Sequence, residues 1–379
     1  MKKILIINNE MSIGGTEKVL LTLLKFIDKK SFDITLLIPA PGDVWEKQIP
    51  EYVNIKYIFK KNPRDFKYIN KLLYSMFIGI TPGILIQKIF IKEKFDSYIS
   101  FKQAMVMYLK GAKGRKLCWI HGTYCKSDYK SNCKIKQIWK KHLYNMELKQ
   151  FSKCDSIVCV SNASRDAFLN TFNINPSKVI TLYNPNDTEK IKKLSKEKIE
   201  IKFKNRITIC AVGRMDPVKA FHRLINICYK LTKEGIEYNL IMVGDGEEYN
   251  KIQSLIKKFN LEENIYLVGY QENPYKYIAK SDIFVCSSIS EAFSTVATEA
   301  IILGKPVVTT LCSGMEELLN PRNCGIITEN SEEGLYEGIK CIIKDKALLD
   351  NLTISAKERS NDFNTIDLIK KIEDIFISE

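Results

Sequence analysis

The chain has 379 residues, 45% apolar and 27% charged, with a formal net charge of +14. That apolar share can fill two or three ordinary domain cores and excludes a disordered or fibrous chain. Residues 1–200 hold 36 Lys and Arg against 18 Asp and Glu, whereas the remainder holds 22 against 26, so the first half suits an anionic partner: nucleic acid, a membrane surface or a phosphorylated substrate.

In chain order, "KKILIINN" (2–9) reads as a buried strand and "TEKVLLTLLKFI" (16–27) as a helix. Between them "NNEMSIGGTEKV" (8–19) places Gly14 and Gly15, whose small size lets backbone approach a phosphate or an acceptor. It is not G-x-G-x-x-G, so a dinucleotide site is poorly supported. Strands follow at 32–39, 54–59 and 95–101. "YINKLLYSMFIGITPGILIQKIFI" (68–91) is interrupted by Lys71, Gly79, Pro82, Gly83, Gln87 and Lys88. It reads as two amphipathic helices, packed on a core or lying on a bilayer surface, and not as a membrane span. "GRKLCWIH" (114–121) is a strand that delivers His121, one of three histidines, to its end. A histidine there is either a structural residue or part of a site. "DSIVCVS" (155–161) and "KVITLYNP" (178–185) complete the first set of strands.

The Lys- and Glu-rich stretch 187–205 carries little apolar periodicity and reads as an interdomain connection. Strands then recur at 207–214, 238–246, 264–270 and 281–288, with helices at 220–235 and 248–261 between them. "KPVVTT" and "GIIT" follow, and a last helix spans 365–378. Continuous Val, Ile and Leu strands interleaved with helices imply parallel sheets covered on both faces, here two Rossmann-type domains in tandem. Ligands then bind beyond the carboxyl ends of the strands, with the deepest crevice expected between the domains. The eleven scattered cysteines lack C-x-x-C and read as reduced, mostly buried thiols. Cys118, Cys125 and Cys133 near His121 fit no usual zinc spacing.

The densest chemistry lies in "SEAFSTVATEAIILGKPVV" (290–308). Glu291 falls in the loop after a strand, Ser294 and Thr295 suit a helix N-cap, and Glu299 lies in the early turns of the helix. A mostly helical interval would separate the carboxylates by up to ~12 Å. Between them the helix N-terminus is a natural seat for phosphate. A nucleoside diphosphate sugar has that polarity, with Glu291 on the sugar and Glu299 on the ribose diol. The bland alternative makes Glu299 a helix-dipole partner. "VGRMDPVKAFHRLI" (212–225) brings Arg214 and Lys219 to another strand end, where two cations would neutralise a departing diphosphate. "VGDGEEY" (243–249) reads as a tight strand-to-helix connection.

At these residues the sequence resembles glycosyltransferase family 4, the retaining group with the GT-B fold. The resemblance covers nearly the whole chain and is carried by "VGRMDPVKAF", "SEAFSTVATEAIILGKPVVTTLCSGMEELL" and "VSNAS…KVITLYNPND". It implies an α/β architecture of two Rossmann-like parallel-sheet domains facing a central cleft. An acceptor-binding domain would span 1–186 and a nucleotide-sugar domain 187–364, with a helix over 365–379 crossing back to the first. By the resemblance, Arg214 and Lys219 match the diphosphate ligands, Glu291 the sugar-contacting acid and Glu299 the ribose acid. Gly15 matches the glycine of the N-terminal loop, and His121 the histidine near the transferred sugar. Backbone around Phe293, Ser294 and Thr295 would meet phosphates, and backbone near Tyr270 and Gln271 the nucleobase. Ala292 and Ala220 stand where glycine is common, which bears most on the hexose contact. There is no D-x-D, consistent with a leaving group held by Arg, Lys and helix dipole and with no metal or other cofactor.

The activity implied is retaining transfer of a hexose or N-acetylhexosamine from a nucleotide sugar, a uridine diphosphate sugar first and GDP-mannose second. The acceptor implied is lipid-linked or polysaccharide, in synthesis of capsule, lipopolysaccharide O-antigen or exopolysaccharide. The basic first half then suits the anionic inner face of the cell membrane, with the protein cytoplasmic and peripherally attached. The rivals are an epimerase of the same fold, a non-catalytic sugar-nucleotide-binding protein, and a nucleic-acid binder. The last lacks any recognisable nucleic-acid-binding signature, so no nucleic-acid partner is expected.

Overall fold

A computed structural model of the chain describes residues 1–12, 14–41, 44–60 and 89–378. The helices expected over 68–91 lie, as far as residue 88, outside the described residues. Two compact units emerge, Met1–Pro185 with Ile366–Glu379, and Asn186–Thr365.

In the first unit the short apolar runs form one parallel sheet. Its strands are β1 (Lys2–Ile7), β2 (Phe32–Ile38), β3 (Asn54–Tyr57), β4 (Ser97–Ser100), β5 (Arg115–Ile120), β6 (Ser156–Cys159) and β7 (Val179–Thr181). Their order is β3-β2-β1-β4-β5-β6-β7. Because side chains alternate across a sheet, β1 feeds two cores. Ile4 and Ile6 join Val19, Leu20, Leu23 and Leu24 of the helix Gly15–Phe26. Leu5 and Ile7 join the cluster of Phe151, Phe168 and Phe172. The final helix, Thr365–Ile377, turns Leu368, Ile369, Ile372 and Phe376 into the first of these cores. The Phe376 ring meets Phe32 and Trp119, each with centroids 6.0 Å away, and its carbonyl accepts from Ser97 Oγ at 3.0 Å.

Apolar periodicity does not announce the helix Lys134–Phe151. Its first turns expose Ile135, Ile138 and Trp139, and only its later residues approach the core.

The second unit repeats the plan with β8 (Thr208–Val212), β9 (Asn239–Val243), β10 (Ile265–Gly269), β11 (Ile283–Cys286), β12 (Val307–Thr310) and β13 (Gly325–Thr328). All pairs are parallel, in the order β10-β9-β8-β11-β12-β13. The helix Phe221–Lys233 buries Leu224, Ile225 and Cys228 against Ile209 and Ala211 of β8, together with Leu335 and Ile339 of the helix Glu332–Lys344.

The stretch 187–205, expected as an irregular connection, is helical over Thr188–Leu194. Asp187 caps it by accepting from the Lys190 N–H at 3.0 Å, and Ile191 is its buried residue. One buried side chain leaves no period to read. Thr365 Oγ1 ties this helix to the start of the last one, donating to the Asn186 carbonyl at 2.5 Å and lying 3.0 Å from Thr188 Oγ1. In each sheet the strand order reverses beside the first strand, between β1 and β4 and between β8 and β11. Loops leaving such a pair diverge, which opens a crevice at the carboxyl ends. Among the described residues no helix is long and apolar enough to cross a membrane.

Candidate active site

In the second unit the loops after β8 and β11 meet. Ser287 Oγ donates to the Lys219 carbonyl at 2.8 Å, and the Ile289 N–H donates to the Val218 carbonyl at 2.8 Å. Beneath them the 243–249 turn holds the 213–216 loop from below, with Met215 N donating to the Asp245 carbonyl at 2.9 Å. Gly244 has φ +143°, and a Cβ there would lie 1.9 Å from the Gly213 carbonyl oxygen, so no larger residue fits this approach. Ala220 is itself left-handed, with φ 50° and ψ 41°, which explains why glycine suits the position.

These loops bring Lys219 and Glu291 together. Lys219 Nζ donates to Glu291 Oε1 at 2.5 Å, and Ser288 Oγ donates to the same oxygen at 2.7 Å. Burial alone would lower the Lys219 pKa, but the Glu291 carboxylate, with Cys286 nearby, outweighs it and holds the ammonium above its ordinary value. The pair lines a small cavity with Val212, Phe221, Val285 and Val296. Arg214 stays exposed and does not join the pair. Its Nε donates to Asp216 Oδ2 at 2.7 Å, while Asp216 Oδ1 accepts from the Lys219 N–H at 3.0 Å. Burial pushes Asp216 up, but these two donors prevail and keep its carboxyl below the usual range. Asp216 therefore shapes the turn that presents both cations. Its position between Arg214 and Lys219 was a visible signal, since Asp side chains bond the backbone of tight turns.

The helix Thr295–Ile302 starts as its sequence suggests, with Ser294 as N-cap accepting from the Ala297 N–H at 3.5 Å. The geometry expected for the two glutamates needs correction. Residues 291–294 are loop, so the ~12 Å separation of a helical interval does not apply. Glu299 is the fifth helical residue and is fully buried. Phe293 is buried beside the N-cap. Tyr270 is exposed just after β10, and Gln271 Nε2 donates to the Val268 carbonyl at 3.0 Å.

Gly15 and His121 belong to the first unit, each at the carboxyl end of the sheet. Gly15 opens the helix Gly15–Phe26. His121 follows β5, its N–H donates to Gln103 Oε1 at 3.3 Å, and its ring lies 5.0 Å from that of Phe101. The residue is partly open to solvent, yet its Nε2 is buried with no hydrogen-bond partner. Burial, then the Lys102 ammonium, push its pKa down to about 3, so the imidazole is neutral near pH 7. Lys102 is in turn paired with the buried Glu17. Neither was foreseen, because the helix Gly15–Phe26 and the loop after β4 meet only once β1 and β4 pair.

Residues 13–190 match the family model of Glycosyltransferase Family 4, and residues 192–359 that of Glycosyl transferases group 1. This chain belongs to glycosyltransferase family 4. A relative of this glycosyltransferase is the N-acetylgalactosamine-N,N'-diacetylbacillosaminyl-diphospho-undecaprenol 4-alpha-N-acetylgalactosaminyltransferase of Campylobacter jejuni. It is 29% identical, over 98% of both chains. The amylovoran biosynthesis glycosyltransferase AmsD of Erwinia amylovora is 22% identical over 99% of both. Among solved structures, HepE of Anabaena in complex with UDP superposes with a TM-score of 0.74 at 18% identity, covering 99% of each chain. The fold of this glycosyltransferase is thus GT-B, with two Rossmann-like parallel-sheet units.

Proposed function

We propose that this glycosyltransferase moves a hexose or N-acetylhexosamine from a uridine diphosphate sugar to a lipid-linked glycan, with retention, in bacterial surface-glycan synthesis. The observation that carries the reading is the arrangement at the switch point of the second sheet. Lys219 is held against Glu291, and Arg214 is presented beside them by Asp216. Two cations suit a diphosphate, and a carboxylate anchored from one side suits sugar hydroxyls. The relatives add support. The Campylobacter jejuni protein is named for an acceptor carried on diphospho-undecaprenol, and the HepE structure is a complex with UDP.

In this reading Arg214, Lys219 and the backbone at Phe293, Ser294 and Thr295 receive the diphosphate, and Glu291 receives the sugar. Glu299 meets the ribose diol. Backbone near Tyr270 and Gln271 meets the uracil. The first unit takes the acceptor, with Gly15 allowing close backbone approach and neutral His121 lying near the transferred sugar. The acceptor oxygen attacks the anomeric carbon on the face from which the diphosphate departs. As the glycosidic C–O bond breaks, a diphosphate oxygen takes the hydroxyl proton. Charge on the leaving group is met by Arg214, Lys219 and the helix N-terminus, with no metal ion or other cofactor required. Such an enzyme works at the cytoplasmic face of the membrane that holds its acceptor.

The test is nucleoside diphosphate release from a panel of sugar nucleotides, with and without polyprenyl-diphosphate glycan acceptors. Acceptor-dependent release from a uridine diphosphate sugar is expected, with the anomeric configuration preserved. Preference for GDP-mannose, an inverted product, or nucleotide binding with no release from any pairing would refute the reading as stated.

A further inference from the structure

The helix Lys134–Phe151 has an exposed face that none of the chemistry above uses. Ile135, Ile138 and Trp139 are 80%, 72% and 67% exposed. At about 100° per residue these positions form one stripe. Lys136 lies along one side of the stripe, and Lys134 and Lys141 along the other, while Lys140 Nζ donates to the Lys130 carbonyl at 2.9 Å. The opposite face is the one anchored to the first unit. There Gln137 accepts from the Ser131 N–H at 2.6 Å and donates to the Tyr129 carbonyl at 3.2 Å, and Tyr144 stacks on Phe172 at 5.3 Å. The apolar stripe is therefore held outward by bonds behind it.

Charge says what covers it. Residues 129–146 contain five lysines and no acidic residue, and Glu147, the acid of this helix, is hydrogen-bonded by Tyr129 on the anchored side. An apolar stripe with Trp and Ile, rimmed on both sides by lysines whose long stems can lift their charges to phosphates, matches an anionic lipid surface. We propose that this face of the helix docks the chain on an anionic phospholipid bilayer, with Ile135, Ile138 and Trp139 entering the headgroup–acyl boundary. The proposal rests on the reading above that the acceptor is bilayer-bound, and it assigns the docking residues to a helix quite apart from the 68–91 stretch.

The test co-sediments the full chain and its Ile138→Ser, Trp139→Ser and Lys136→Gln/Lys141→Gln variants with vesicles. One set is phosphatidylcholine alone, the other has phosphatidylglycerol added. Binding is expected only with phosphatidylglycerol and should weaken with salt. It should fall about tenfold for each apolar variant and about fivefold for each lysine removed. Brominated lipid should quench a component of tryptophan emission that the Trp139→Ser variant lacks. Wild-type binding by both apolar variants would overturn the proposal. So would a solution dimer that these variants dissolve while vesicles stay unbound, which would give the face to a second copy. Transfer to a water-soluble acceptor is the independent readout, expected at wild-type level in all variants. If the wild type transfers to no acceptor yet docks through this face, the transferase reading fails and the docking surface stands.

Discussion

Replacing Lys219 by Ala removes the cation that holds Glu291, and two separate quantities should change. The ammonium and carboxylate are 2.5 Å apart, with side chains 27% and 12% exposed. A fully exposed pair contributes under ~1 kcal/mol, and breaking a sealed one costs about 3–5 kcal/mol. This half-open pair should lose about 1–3 kcal/mol of stability. Turnover should fall further. One preorganised donor at a site of developing charge is worth about 2.7–4 kcal/mol, or roughly a hundred- to a thousandfold in kcat. A double-mutant cycle over Lys219→Ala and Glu291→Gln, read by urea unfolding and by nucleotide release, separates the two. The double variant should regain most of the stability, because the neutral amide that replaces the Glu291 carboxylate needs no counter-charge, while turnover stays low. Near-wild-type turnover in Lys219→Ala would refute the diphosphate role. Recovery of turnover together with stability in the double variant would show that Lys219 acts only through Glu291.

Two further outcomes concern the first unit. His121 falls from its ordinary 6.5 to about 3, so the unfolded chain takes up its proton first as the pH drops. Stability should then decline from pH 6.5 towards 3, by at most about 1.4 kcal/mol per pH unit from this group. A His121→Gln variant should flatten that limb in a urea-denaturation series, and an unchanged slope would mean the histidine is not held neutral. Phe376 is buried to 2% exposure between Phe32 and Trp119. Phe376→Ala should therefore cost about 3–5 kcal/mol on thermal unfolding, and a loss below ~1 kcal/mol would show that the final helix is not part of this core.

Much of this protein is written locally. Unbroken apolar runs such as those of β1, β6 and β11 mark strands covered on both faces. Ser294 marks a helix start, and the glycines of 243–249 a tight strand-to-helix connection. Arg214, Lys219, Glu291 and Glu299 are recognisable as residues because each sits beside a strand end or a helix start. Where local signals are weak the reading thins. The helix Thr188–Leu194 buries little, and the helix Lys134–Phe151 turns its large apolar side chains outward, so neither shows a core-facing period.

What the sequence by itself determined was therefore the kind of sheet, the positions of its loops and the residue types those loops carry. Tertiary structure alone decided the partners. Lys219 finds Glu291 across 72 residues because β11 pairs with β8, although β9 and β10 lie between them in the chain. Arg214 instead turns to Asp216, two residues away. His121 is neutral first because its ring is buried and then because β4, lying beside β5, carries Lys102 towards it. Strand order creates these contacts between distant segments, and no periodicity or spacing within either segment encodes which neighbour it will have.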